Sequence, residues 1–459
     1  MVAVGKLSQN KTAVTVSTMP VDAVRGDAGG RLKPYVIGLF FVWGFATVLM
    51  DSLVPRFKAL FALSYAEVML TQFSFFLAYF CFSLPAGALV ARVGYVRGIV
   101  IGLAIMTAGC LLFIPASSAA LYPFFLVALF VLATGITVLQ VAANPLITML
   151  GPSRTSHSRL NLAQAFNSLG TFVGPYFGAW LILGSMGASG PRVAAHPAAR
   201  AAQAHTLELP FLYIAVVLAI ACAVFVAFWN VRLQTRSAAA GPTATPAGRG
   251  ARVRMLDLSL LRRGRTGLGV LSIFMYVGAE VYIGSLLTNY LMSQHTLGLA
   301  AASAGRLVSL YWGGAMLGRL AGSALMRRMP ASALLTACAI GAAMLASVSA
   351  MSSGGVAAYT ALAIGLCNSI MFPTIFSLSI EGLGQRVPQG SSLLCLAIVG
   401  GAILPLIGGK VADLVSPSVS LFVPVVSYAW IAVFGLICYF SATAIDRRRG
   451  RRGELQRDG

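Results

Sequence analysis

Two carboxylates stand where the flanking sequence is otherwise uncharged: Asp51 in GFATVLMDSLVP (44–55) and Glu280 in FMYVGAEVYIGSLLTNYL (274–291). An ionised acid at the centre of a membrane helix costs about 2.5–3.5 kcal/mol, so an acid kept there is by default a site of chemistry. The chemistry open to a partly desolvated carboxylate is reversible. It takes up and releases a proton, or holds a small cation. Asp51 lies four residues before Pro55, toward one end of its apolar run, where an interfacial or helix-stabilising role is the structural alternative. Glu280 has no basic residue near it in sequence; Arg306 and Arg319 are the cations that can reach it, and a structural ion pair is the alternative there.

Amides form the second set. Gln140 and Asn144 are spaced i, i+4, Asn161, Gln164 and Asn167 step by three, and Asn289 and Asn368 stand singly in other apolar runs. The spacing projects the members of each group from one helix face. Such amides supply the donors and acceptors that a polyhydroxyl ligand needs, or else they bond between packed helices. Aromatic residues also cluster, at Phe73, Phe75, Phe76, Tyr79 and Phe80 and again at Tyr311 and Trp312. Most of these are packing or interface anchors, although a sugar ring can stack its C–H face on one of them.

The elements that must position these groups are membrane helices. Of the 459 residues, 58% are hydrophobic and only 10% charged, against about 25% charged in soluble domains. A bilayer core of about 30 Å takes roughly 20 apolar residues of helix. That ruler predicts twelve spans: 35–56, 68–91, 97–116, 121–147, 161–184, 210–231, 267–292, 304–326, 332–352, 355–380, 390–413 and 419–442. Twenty-six of the 33 Lys and Arg fall in alternate connections and both terminal segments, which places both termini in the cytoplasm by the positive-inside rule.

The formal charge of +21 is therefore topology and contact with anionic headgroups, not nucleic-acid binding. The predicted organisation is a cytoplasmic tail (1–34), a six-helix bundle (35–231), a flexible linker rich in Ala, Gly, Pro and Arg (232–266), a second six-helix bundle (267–442) and a basic tail (443–459). A faint repeat supports the division. Gly170, Pro175 and Gly178 recur 230 residues later as Gly400, Pro405 and Gly408, and Ala133 and Gly135 recur as Ala363 and Gly365. The expected fold is all-α, twelve transmembrane helices in two bundles of six with a site between them near the midplane, the major facilitator architecture.

Other classes have little to stand on. The seven cysteines fall inside apolar runs with no C-x-x-C pair and read as small core residues, and the four histidines fall in predicted loops, so no metal site and no cofactor is expected. Residues 1–33 hold no short apolar core followed by a small-residue cleavage site, which argues against a cleaved signal peptide. No phosphate loop, metal-ligand cluster or nucleophile elbow points to an enzyme.

Longer motifs carry a family resemblance. LQVAANP (139–145), SRLNLAQAFNSLGT (158–171), YWGGAMLGR (311–319) and NSIMFPTIFSL (368–378) resemble the fucose:proton symporter family, most closely its bacterial glucose/galactose transporter branch, over residues 35–445. PAGALVARVGYVRG (85–98) resembles the facilitator gating loop, with Gly87, Arg92, Gly94 and Arg97 in place and Ala91 where that motif carries aspartate. The resemblance implies hexose import across the bacterial inner membrane, driven by a gradient of H+ or Na+, by a chain that functions as a monomer in the lipid bilayer. It associates Asp51 with cation coupling and Gln164 and Asn167 with sugar binding. Gln140 stands where the fucose branch carries a glutamate, which favours glucose or galactose over fucose, while N-acetylglucosamine stays open. An exporter of drugs or metabolites shares the twelve-span plan, but its cavities are apolar and aromatic. A sugar sensor that moves nothing requires an output domain, and the linker and tail are too short to be one.

Overall fold

A computed structural model describes the backbone of residues 27–51, 57, 60–61, 63, 65–178, 202–229, 258–262 and 264–455, and their side chains except at 27–29, 48–51, 65–69, 175–178, 258, 301–302 and 442–455. With no water in a bilayer to satisfy backbone groups, long apolar segments must close their hydrogen bonds internally, and they do so as helices. In chain order these are α1 (Asp27–Asp51), α2 (Tyr65–Val93), α3 (Tyr95–Ala119), α4 (Tyr122–Met149), α5 (Ser156–Gly178) and α6 (Ala202–Ala227). The second set is α7 (Gly264–Met292), α8 (Ala301–Leu325), α9 (Ala331–Met351), α10 (Gly354–Ile380), α11 (Gly384–Leu414) and α12 (Phe422–Leu455). Among the described residues, nine helices are long and apolar enough to cross a membrane. Of the other three long helices, α1, α5 and α8, the last two are diluted by polar residues, which include Gln164 and Arg319.

Helix ends depart from the apolar ruler because a helix continues as polar turns beyond the apolar stretch. The first begins at Asp27, inside the predicted tail, and the last runs on to Leu455. His157 and His205, expected in loops, are helical for the same reason. Most of the predicted linker, and the outer loop up to residue 201, lie outside the described residues. Gly94, at φ +90°, makes the turn from α2 into α3 in a region that side-chain-bearing residues rarely enter. Of the cysteines, Cys110, Cys395 and Cys438 are buried, Cys222, Cys338 and Cys367 half-buried, and Cys81 exposed.

Helices α1–α6 pack on one another, as do α7–α12, and the two halves meet chiefly where α5 lies on α8 and α10 and where α2 and α4 lie on α11. The repeat has a structural counterpart at one pair of glycines. A Cβ on Gly170 of α5 would collide with the Phe41 carbonyl and Phe45 nitrogen of α1, and one on Gly400 of α11 would collide with the Phe274 carbonyl of α7. The same small residue brings the fifth helix of each half against the first. The pair Gly135 and Gly365 does not correspond, because Gly135 faces α3 and Gly365 faces the Tyr311 backbone of α8.

Four chain connections gather at one end of the bundle, here called the basic end: those after α2, α4, α8 and α10. Contacts across the seam establish this, including Ser158 to Ser323 and His157 to Ser377. Gly170→Ala and Gly400→Ala should each overpack a helix pair at about 1–3 kcal/mol and lower the Tm in detergent, whereas Gly305→Ala, whose Cβ meets nothing within 4 Å, should leave it level or raised.

Candidate functional site

The first half contributes a buried amide cluster. Gln140 and Asn144 lie one turn apart on α4, as their spacing predicts. The Gln140 Nε2 donates to the Tyr79 hydroxyl oxygen of α2 at 2.5 Å, and the Gln164 Nε2 of α5 donates to Asn144 Oδ1 at 3.3 Å. Gln140 Oε1 and Asn144 Nδ2 are buried without a hydrogen-bond partner among the described residues. A buried polar atom left unpaired costs about 1–3 kcal/mol, a cost that a hydroxyl-bearing ligand admitted between the helices would offset.

The second half contributes charge. Glu280 on α7 faces Arg319 on α8, with Nη2 4.0 Å from Oε1, and both side chains are largely shielded, at 17% and 12% exposed. Pro373 explains why Arg319 is held here. Proline has no N–H to donate to the carbonyl four residues back, so α10 breaks at Ser369–Ile370 and the Ser369 oxygen is left for another donor. Arg319 Nε supplies it at 2.9 Å. Beside it the Tyr276 hydroxyl donates to the Asn368 carbonyl at 3.1 Å, and Asn368 Nδ2 donates to the Tyr311 hydroxyl oxygen at 2.8 Å. Asn368 Oδ1 is a further buried acceptor with no hydrogen-bond partner among the described residues.

Arg319 also crosses to the other half, donating through Nη1 to the Gln164 carbonyl at 3.4 Å and to the Ser168 hydroxyl, both on α5. From there to the basic end the halves are stitched together. Ser158 Oγ donates to the Ser323 carbonyl at 2.7 Å while Ser323 Oγ donates to the Ser158 carbonyl at 2.9 Å. Asn161 Nδ2 donates to Thr374 Oγ1 at 3.3 Å, and His157 Nδ1 lies 2.7 Å from Ser377 Oγ. Pro145 frees the Val141 carbonyl of α4 as Pro373 frees that of Ser369, and Ser391 of α11 donates to it at 3.1 Å.

The predicted residues divide accordingly. Gln140, Asn144 and Gln164 come together, Glu280 meets Arg319, and Asn368 bonds Tyr276 and Tyr311. Arg306 turns instead to Ser303 Oγ, at 3.1 Å. The amides of α5 do not share one face. A step of three residues falls short of a turn, and by Asn167 the drift carries the side chain round to α1, where its Nδ2 donates to the Phe40 carbonyl at 3.1 Å. Ser168, four residues after Gln164, takes the cluster-facing position and was missed because a lone serine carries no sequence signal. Asn289 is exposed near the far end of α7, away from the cluster. Asp51 closes α1, and its side chain lies outside the described residues.

In the gating loop, Gly87 packs directly under Ser392 and the Pro388 carbonyl of the other half, leaving no room for a Cβ. Arg97 donates to the Trp229 carbonyl at 3.4 Å and lies 5.0 Å over its ring, while Arg92 is exposed. Gly87 therefore packs on the second half and Arg97 on Trp229, just past α6.

Comparison with known proteins identifies the family. The family model of the Major Facilitator Superfamily matches residues 35–394. A glucose/galactose transporter of Brucella abortus is 46% identical over 399 residues, 87% of this chain and 92% of its own. A putative glucose/galactose transporter of Helicobacter pylori is 38% identical over 406 residues, 87% and 95% of the two chains. The L-fucose-proton symporter of Escherichia coli is 34% identical over 445 residues, 93% and 97%. The crystal structure of that symporter in its outward conformation covers 90% of this chain and 99% of its own, with a TM-score of 0.78 and 30% identity. The chain belongs to the Major Facilitator Superfamily, a fold of transporters and not of enzymes. Within it, the chain is a member of the fucose:proton symporter family, near the glucose/galactose transporter branch.

Gly87→Leu should hold the halves apart at the basic end, seen as faster hydrogen–deuterium exchange in residues 387–396; unaltered exchange would show that the seam does not close on this glycine.

Proposed function

We propose that this chain imports a hexose, glucose and/or galactose, across the bacterial inner membrane by symport with H+ or Na+. The observation that carries the reading is the cluster of uncharged amides on α4 and α5, with Gln140 Oε1 and Asn144 Nδ2 buried and unpaired at the contact between helices. Donors and acceptors without charge suit sugar hydroxyls, and the Brucella abortus relative is named for glucose and galactose. The Escherichia coli relative is named for L-fucose, so fucose is the second reading, with N-acetylglucosamine as a further hexose to test. The basic end faces the cytoplasm in this reading, with both termini on that side, and the monomer is the working unit.

Transport proceeds by rocking of the two halves about the midplane, so that the site opens to each side in turn. The structure closes the basic end, the arrangement in which sugar enters from the opposite side. Asp51 and Glu280 are the carboxylates through which the gradient enters. One charge crossing 100 mV carries about 2.3 kcal/mol, enough for roughly fiftyfold accumulation of sugar.

The decisive experiment is uptake of a labelled panel of glucose, galactose, fucose and N-acetylglucosamine into proteoliposomes, with proton and sodium gradients imposed separately. Uptake of glucose or galactose that follows one imposed gradient is expected; no uptake of any sugar under either would remove the proposal. Gln164→Ala should weaken sugar affinity about tenfold, the worth of one or two hydroxyl bonds, and an unchanged KM would take α5 out of the site. Asp51→Asn should abolish uphill accumulation while sugar exchange between the two sides persists. Equal loss of both activities would assign Asp51 a structural role.

A further inference from the structure

Arg319 touches three elements with one guanidinium. Its Nε serves the Ser369 carbonyl of α10, its Nη1 serves the Gln164 carbonyl and Ser168 hydroxyl of α5, and its Nη2 lies 4.0 Å from Glu280 of α7. Only the α5 acceptors belong to the other half. We propose that Arg319 is the positioning residue through which the ionisation of Glu280 controls closure between the halves at the basic end.

The argument is one of supply. A guanidinium shielded from water cannot give up acceptors without replacement. When α5 withdraws from α8 at the basic end, Arg319 loses Gln164 and Ser168 and keeps Ser369 and Glu280, which move with it. An ionised Glu280 compensates by drawing in from 4.0 Å to a charge-assisted hydrogen bond, whereas a neutral Glu280 offers a weaker acceptor. Ionised Glu280 therefore favours the open basic end and neutral Glu280 the closed one. Linkage makes this reciprocal, so proton uptake accompanies closure and proton release accompanies opening.

The titratable or charged groups facing Glu280 are Arg319 and Tyr311 from α8, Tyr276 one turn away on α7 and Tyr428 from α12. From α10 come Asn368 and Ser369, and α11 meets α7 through Gly400, Leu404 and Gly408, none of them ionisable. No second carboxylate among the described residues shares the task. Gln164 joins the latch to the amide cluster, since its side chain bonds Asn144 and its carbonyl accepts from Arg319. A sugar that displaces the Gln164 side chain thus acts on the same turn of α5 that Arg319 holds. A protonated but empty carrier stays closed at the basic end and leaks no proton, while an ionised empty carrier is free to open.

The inference rests on the transport reading only in requiring that the basic end open and close, and its test needs no substrate. Hydrogen–deuterium exchange of the purified full chain, at one mildly alkaline pH, reports closure through residues 156–168 and 319–326. Glu280→Gln should slow exchange in both segments about tenfold, the worth of one hydrogen bond to a charged group. Arg319→Leu should speed it, and Glu280→Gln should have no effect in the Arg319→Leu background. Should Arg319→Leu fail to fold, Ser168→Ala, which removes one α5 acceptor and no charge, must speed exchange and shrink the Glu280→Gln effect. Exchange unaltered by Glu280→Gln, or a Glu280→Gln effect that persists in full without Arg319 or Ser168, overturns the proposal. A clear Glu280→Gln effect in a protein that takes up no hexose would instead remove the transport reading and leave the latch standing.

Discussion

A guanidinium that must be satisfied with little water at hand is the constraint around which the middle of this protein is arranged. Arg319 is 12% exposed and takes acceptors from α10 and α5, with the Glu280 carboxylate of α7 within 4.0 Å. The side chains around this cluster are held in turn: Tyr276 by the Asn368 carbonyl, Asn368 by the Tyr311 hydroxyl, and Gln164 by Asn144. A cation in such a place is costly unless its partners are in position, so it dictates where three helices stand relative to one another.

Proline supplies two of the acceptors that hold the molecule together. Pro373 leaves the Ser369 carbonyl without a helical donor, and Arg319 takes it; Pro145 does the same for Val141, and Ser391 from the other half takes that one. A helix that loses a backbone hydrogen bond in a membrane is tolerated only where protein groups resatisfy the carbonyl, and here α10 is served from its own half and α4 from the other. Glycine does the complementary work. Gly170, Gly400 and Gly87 bring backbones so close that no methyl group fits, which lets short polar side chains such as Ser392 reach across.

The two halves share an architecture and divide the chemistry. The first offers neutral amides on α4 and α5, suited to a ligand with many hydroxyls and no charge. The second offers Glu280, Arg319 and buried tyrosines. Arg319 and the serine clasp of Ser158 and Ser323 are among the contacts that join one half to the other, and they lie from the cluster toward the basic end. On the proposed function, this asymmetry gives the carrier two places to act on, one for the sugar and one for the cation, joined at a single turn of α5.

How much could be read from the chain follows from the range of the signals. Apolar length and loop charge are local, and from them came the twelve spans, the two bundles and the membrane class; four long motifs led to the family. The i, i+4 pair Gln140 and Asn144 was legible because helical spacing alone puts both on one face, and Glu280 because an acid in an apolar run is visible without any neighbour. Asn167 was misplaced by the same logic: three-residue steps drift around a helix, and only the packing of α5 on α1 shows which way it points. Ser168, Ser369 and Tyr428 were hidden because a serine, a main-chain carbonyl or a tyrosine joins the cluster only when a distant helix brings the cation beside it, whereas Arg319 was one of two cations open to Glu280 and packing chose it over Arg306. The sequence by itself determined that helices would form, where their apolar stretches lie and which carried polar groups. The tertiary structure decided which of those groups meet, because the contacts among them depend on how helices cross and not on spacing along any one of them.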